Sequence, residues 1–154
     1  MSLAVFAPPP GTRTALGKVP ERVFAAQMVG SGTAVEPARD AGCVDVAAPV
    51  AGTVTAMHPH AFVIRIGSGA AVLVHLGIET VRLNGEEFRA HVADGEQVKV
   101  GQNVITFDAG AIRARGLSAI CPVVVLDSPP GSAQAPSVTG PVRAGALLFS
   151  WATS

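Results

Sequence analysis

Charged residues make up only 14% of the 154-residue chain, and 11 acidic side chains cancel 11 basic ones. That balance leaves no electrostatic footprint for DNA or RNA, which excludes nucleic acid as a partner. Long apolar runs are missing too, none approaching the roughly 20 residues that span a bilayer. The first apolar stretch, MSLAVFAPPPG, has no basic segment before it and is broken by Pro8, Pro9 and Pro10, so it does not read as a signal peptide. A soluble, cytoplasmic protein is expected. Cysteine is nearly absent. Cys43 and Cys121 stand far apart, outside any C-x-x-C, which excludes a disulfide framework and a thiolate metal site. Both are expected to be buried free thiols.

What the chain does have is apolar bulk, 49% of its residues. A chain of this size and composition packs one sizeable core rather than remaining disordered. The apolar residues come in short runs rich in β-branched side chains: FVIRI (Phe62 to Ile66), AVLVHL (Ala71 to Leu76), VITF (Val104 to Phe107) and PVVVL (Pro122 to Leu126). Glycine-bearing turns at Gly67 to Gly69, Asn84-Gly85 and Asp94-Gly95 separate them. Short, closely spaced strands predict an all-β protein, an antiparallel sandwich or barrel. Helix is expected only as single turns near Val23 to Met28 and Ala109 to Ala114.

Two internal echoes point to repeated strand-turn-strand units. APPPGTRT (Ala7 to Thr14) aligns with APVAGTVT (Ala48 to Thr55), a shift of 41 residues. VKVGQNVITF (Val98 to Phe107) aligns with VRAGALLFSW (Val142 to Trp151), a shift of 44. Neither unit is long enough to bury its own face, so the copies are expected to pack together in one core. Residues 129–139, within SPPGSAQAPSVT, read as a flexible linker. Residues 140–154 then supply a last strand, expected to return to the body because it carries the chain's one tryptophan, Trp151.

Titratable chemistry centres on four histidines. His58 and His60 form H-P-H before the FVIRI strand, His75 ends the AVLV run, and His91 follows a strand at Phe88. Residues two apart on a strand face the same side, which predicts a shared face for His58 and His60. His60 and His75 lie 15 residues apart, a length that lets the two strands of a hairpin bring both rings to one place. Taken alone, a histidine on an apolar strand is more often a hydrogen-bonded core residue than a reactive one.

The chain resembles the enzyme IIA component of the glucose family of the bacterial phosphoenolpyruvate-dependent sugar phosphotransferase system. The collinear segments are VPERVFAAQMVGSGTAVEP (Val19 to Pro37), APVAGTVT, HAF (His60 to Phe62), VHLGIETVRLNGEEF (Val74 to Phe88) and VADGEQVKVGQNVITFD (Val92 to Asp108). The resemblance assigns residues 1–128 to a phosphotransfer domain. It implies a β-sandwich with two histidines side by side in a shallow depression ringed by apolar residues, one of them carrying a phosphoryl group between two proteins. His75 matches the phosphoryl acceptor and His60 the supporting histidine. Neutral imidazole suits the task, having a free lone pair near pH 7 and a pKa close to working pH. The second ring nitrogen of such a nucleophile needs an acceptor, for which a backbone carbonyl in Leu76 to Ile78 is the candidate.

Further positions carry over individually. Glu21 and Glu79 fall where the family usually has aspartates beside the site, implying that they engage basic side chains of the partners. His58 stands where many relatives have a threonine that hydrogen-bonds the supporting histidine, and a ring nitrogen can serve in its place. Val23, Phe24, Val29, Ala56 and Leu73 correspond to the apolar docking rim. His91 matches no functional position and reads as structural. The implied partners are the phosphocarrier protein as donor, the enzyme IIB component as acceptor, and the membrane sugar permease indirectly. No cofactor is required, although the resemblance implies a weak zinc affinity at His60 and His75. Two other readings compete with the relay: a regulatory module that signals by its phosphorylation state, and a zinc hydrolase using His58, His60 and His75. The hydrolase lacks H-E-x-x-H-type spacing and ranks last.

Overall fold

A computed structural model describes residues 2–152. Met1, Thr153 and Ser154, the ends of the expected first and last segments, lie outside the described residues. In chain order the elements are β1 (Ser2–Phe6), β2 (Gly11–Thr14), a 3-10 turn (Leu16–Lys18), α1 (Arg22–Ala25), β3 (Gly30–Glu36), β4 (Cys43–Ala47) and β5 (Gly52–His58). They continue with β6 (Ala61–Arg65), β7 (Ala71–His75), a second 3-10 turn (Thr80–Leu83), β8 (Phe88–Ala90), β9 (Gln97–Val98) and β10 (Asn103–Asp108). The last are α2 (Ala109–Ala114), β11 (Cys121–Leu126), β12 (Ala133–Gln134), β13 (Gly140–Val142) and β14 (Leu147–Ala152).

The strands are antiparallel throughout and form one large curled sheet, ordered β13-β2-β3-β11-β7-β6-β5-β9, with two small sheets, β1-β14-β12 and β4-β10-β8. The expected all-β sandwich with short helical turns is what the chain builds. Alternation explains which face each strand buries: on β6, Phe62 and Ile64 are fully buried while Val63 is half-buried and Arg65 exposed.

Both internal echoes are structural equivalents. Ala7 exchanges two backbone bonds with the 145–146 turn, its N–H donating to Ala146 O at 2.8 Å and its carbonyl accepting from Gly145 N at 2.9 Å. Ala48 does the same with the aligned turn, donating to Gln102 O at 2.8 Å and accepting from Gly101 N at 3.0 Å. Where the copies meet, Phe6 N donates to Pro49 O and Ala47 N to Pro8 O, both at 3.0 Å. These two bonds exchange under the same 41-residue shift, which is the signature of a pseudo-twofold axis between the units. Neither copy has to close a hydrophobic core by itself, because each strand-turn-strand unit lies across the other.

Within 129–139, Ala133 and Gln134 form the two-residue strand β12 on β14, opposite Trp151 and Ser150. The Trp151 indole N–H donates to Ser132 Oγ at 3.1 Å, and β14 pairs with β1 along its length. The buried Arg13 guanidinium donates to Leu147 O, Leu148 O and Ser137 Oγ, tying the same region to β2. Cys121 is buried, its thiol pushed up to about 12 by desolvation. Cys43 corrects the expectation of two buried thiols: it begins the edge strand β4 and is exposed.

Two apolar clusters fill the interior. The main one includes Val5, Val46, Phe62, Ile64, Phe107, Leu148 and Phe149. A second, made of Leu16, Val19, Phe24, Ala34, Ile78, Ile120 and Val124, lies under α1 with Val29 and Leu73 packed against it. The four-residue α1 has no stability of its own. Burial of Phe24, worth about 1.5–3 kcal/mol, and the Glu21 carboxylate capping Val23 N–H hold it in place.

Candidate functional site

The β6–β7 hairpin creates the site. Ala61 pairs with His75 in its ladder, and Leu76 N–H donates to His60 O at 2.8 Å, so the residues flanking one end of the ladder are His60 and His75. Their ring centroids lie 5.2 Å apart with the planes at 70°. The His75 ring meets Phe24 on another side, at 5.3 Å between centroids. His58 pairs with Ala61 at the end of β5, which leaves Pro59 and His60 as a two-residue connection. His58 and His60 therefore do not share one strand face. The turn brings them together, with centroids 5.8 Å apart.

A β-bulge decides where His58 points. Val54 pairs with Ile64 but Ala56 with Val63, so Thr55 is the extra residue. Without it, Val54, Ala56 and His58 would share the buried face of β5. With it, Ala56 falls in a cross-strand row with Val63, Leu73 and Val124, and His58 in the next row with Ala61 and His75. One face of the sheet thus carries both histidines and half-buried apolar side chains. Val63, absent from the sequence-derived rim, sits between Ala56 and Leu73. Its signal was alternation against the buried Phe62 and Ile64.

His75 Nδ1 lies 2.6 Å from Gly77 O. A carbonyl only accepts, so Nδ1 carries the proton and, in the neutral ring, Nε2 keeps its lone pair. Burial lowers the proton affinity of His75 below the ordinary histidine range, opposed less strongly by the Gly77 carbonyl and by the Glu21 carboxylate. His60 is lowered as well, first by burial and then by the neighbouring His75 and His58 rings. Both rings are held neutral at neutral pH, the nucleophilic form of imidazole.

The remaining predicted residues fall unevenly around this pair. Val23 is 41% exposed, whereas Phe24 is only 8% exposed and forms a wall of the site rather than its rim. Val29, Ala56 and Leu73 are half-buried. Met28 and Val81, which the sequence reading passed over, are 69% and 60% exposed on the segments after α1 and after Glu79. Glu79 is exposed in the left-handed region at φ 62°, 3.9 Å from the Arg82 guanidinium. His91 lies elsewhere, its Nε2 bonded to Thr106 Oγ1 at 2.8 Å. Among the described residues no three His, Cys, Asp or Glu side chains are grouped to hold a metal ion, and the His60–His75 pair alone falls short of the three protein ligands of a catalytic zinc site.

The family model of the phosphoenolpyruvate-dependent sugar phosphotransferase system, EIIA 1, matches residues 3–129. The chain belongs to this family. The glucose-specific EIIA component of Oceanobacillus iheyensis is 39% identical over 125 residues, covering 80% of this chain and 73% of the relative. That of Halalkalibacterium halodurans is 41% identical over 123 residues, covering 79% and 69%. The glucosamine-specific EIICBA component of Bacillus subtilis is 40% identical over 116 residues, 74% of this chain but 18% of that larger protein. Among solved structures, glucose permease IIA from Mycoplasma capricolum superposes with a TM-score of 0.85 at 30% identity, covering 97% of this chain and 96% of that one. Like other EIIA components, the chain is a phosphotransferase that relays a phosphoryl group through a histidine within the sugar phosphotransferase system, and transfer to IIB is the family's standard role. No helix among the described residues is long and apolar enough to cross a membrane.

Proposed function

We propose that His75 is the relay residue, accepting from the phosphocarrier protein and donating to a cysteine of the enzyme IIB component in the cytoplasm, with the membrane sugar permease served through IIB. The observation that supports this reading is the Nδ1–H bond from His75 to Gly77 O, which leaves Nε2 as the free nucleophile beside a second neutral imidazole. In the first step Nε2 forms a bond to phosphorus as the phosphorus–nitrogen bond to the donor's histidine breaks, and the donor imidazole leaves with the electron pair. In the second, a thiolate of IIB forms the new bond and His75 leaves with the pair on Nε2. His60 donates an N–H to the phosphoryl oxygens as charge spreads over them. His58 stands behind His60 as a further imidazole.

The apolar row Ala56, Val63 and Leu73, with Val23, Val29 and the Phe24 wall, receives the partners. Glu21 and Glu79 meet their basic side chains. Incubation with phosphoenolpyruvate and the general phosphotransferase components, followed by mapping of the acid-labile label, tests the assignment. Label on His75 supports it, and label on His60 or His58 overturns it.

A further inference from the structure

We infer that Thr80, whose hydroxyl donates to a backbone carbonyl and to neither histidine ring, is a positioning residue that fixes the tautomer of His75. The inference rests on the reading of His75 as the nucleophile. The Gly77 carbonyl can select the His75 tautomer only if its peptide group cannot turn, and the segment after β7 shows how that is arranged. Leu76 N–H is held by His60 O at 2.8 Å, Gly77 N–H by Ile120 O at 3.0 Å, and Ile78 N–H by Ser118 O at 3.0 Å. On the carbonyl side, Leu76 O accepts from the Thr80 hydroxyl at 2.7 Å. Three of these four anchors are backbone groups of neighbouring segments. Thr80 is the one side chain among them, and it is 1% exposed.

Both branches of the threonine contribute. Its hydroxyl satisfies the carbonyl of Leu76, which is fully buried and next to the reactive histidine. Its methyl fills the space beside Gly77, where a Cβ would come within 2.7 Å of Thr80 Cγ2. Gly77 adopts φ 79°, a conformation suited to glycine, and this turns its carbonyl back toward His75. With the hydroxyl gone, the Leu76 carbonyl is left buried without a donor, and the Leu76–Gly77 peptide, held now by its Gly77 N–H alone, tilts about that bond toward another donor. The next peptide carries Gly77 O and is held by its Ile78 N–H, so a tilt of the first peptide re-aims the acceptor of the His75 proton about that remaining bond.

Isosteric substitution separates the two branches: Thr80→Val keeps the methyl and removes the donor, while Thr80→Ser does the reverse. Long-range nitrogen–proton NMR of the full chain at pH 7.5 reads the His75 tautomer directly, and rapid-quench assays with phosphorylated phosphocarrier read acceptance. Thr80→Val is expected to populate both tautomers and to slow acceptance on the order of ten- to hundredfold, the scale set by misplacing a reacting group by an ångström. Thr80→Ser is expected to keep the wild-type tautomer and rate. If Thr80→Val does not fold, Thr80→Cys, with its weaker donor, should fall between the two on both readouts. A wild-type tautomer in folded Thr80→Val, or in Thr80→Cys where Val fails, overturns the inference. Because the tautomer is read without any partner, the role of Thr80 is tested even if phosphoryl label maps to a histidine other than His75.

Discussion

His75 and Gly77 are two residues apart, yet the ring of one reaches the carbonyl of the other, Nδ1 to O at 2.6 Å, because the chain leaves β7 through the left-handed glycine. The imidazole is thereby given one reactive nitrogen. His75→Ala should abolish acid-labile labelling and leave the fold intact, since the side chain is only part-buried and lies at the end of its strand. Label retained in that variant, with a wild-type melting curve, would reject His75 as acceptor.

The same turn predicts the sensitivity of Gly77 itself. Alanine there is strained at φ 79°, and its Cβ would also lie 2.8 Å from the backbone carbonyl of Ser118. Gly77→Ala should cost about 1–3 kcal/mol or more in chemical denaturation and impair acceptance. A variant as stable and as active as wild type would show that the turn relaxes freely.

His60→Gln keeps a side-chain N–H but removes the imidazole. Acceptance on His75 should persist, because the nucleophile and its Gly77 acceptor are untouched. Donation to IIB should slow by up to roughly 10²–10³, the effect of losing a positioned donor to a developing oxyanion, because the flexible amide does not present its N–H where the imidazole did. His58 stands 5.8 Å from His60, so His58→Ala with His60→Gln is the cleaner test. Equal slowing of the two half-reactions by rapid quench would remove any selective role for His60.

Exposure distinguishes two rim substitutions that look alike in sequence. Val23→Glu, at a 41% exposed site, should weaken docking and raise KM for the phosphocarrier with little change in stability. Phe24→Ser should instead destabilise the protein by about 3–5 kcal/mol, as loss of a buried phenyl ring does. Thermal melts alongside transfer kinetics separate these effects, and an unchanged KM in Val23→Glu would count against the docking face.

Acid should weaken both fold and function. His60 and His75 bind protons less readily folded than unfolded, so between the ordinary value of 6.5 and their lower folded values the unfolded chain holds more protons. Their contribution to stability is present above pH 6.5 and is lost as pH falls through the folded pKa values. Denaturation midpoints from pH 7.5 to 5 should decline, and less steeply in His60→Gln. Acceptance should persist below pH 6.5 and fall only as pH drops through the lowered His75 value and Nε2 is protonated. A midpoint independent of pH in this window would contradict the burial of the pair.

Much of the architecture was legible because strand-forming side chains and turn glycines act locally. AVLVHL became β7 (Ala71–His75), PVVVL became β11 (Cys121–Leu126), and Ala109 to Ala114 formed α2. The approach of His60 to His75 was legible too, since a hairpin register needs only a count of residues on either side of its turn. Cys43 was misplaced for the complementary reason. Its burial depends on whether β4 is an edge or a central strand, which is a property of sheet order and not of the neighbouring residues.

The sequence by itself determined the short strands, the two shifted copies and the histidine that closes β7, because each is written in residues adjacent along the chain. Only the tertiary structure decided which face His58 occupies and what stands against His75. Parity along β5 would bury His58 with Val54, and the bulge at Thr55 reverses that parity by making two residues oppose one on β6. Phe24 reaches His75 from a four-residue helix whose position is set by the second apolar cluster, which it shares with Ile78, Ile120 and Val124 far along the chain. A bulge and a packing contact are properties of pairs of segments, so neither exists until the sheet has closed.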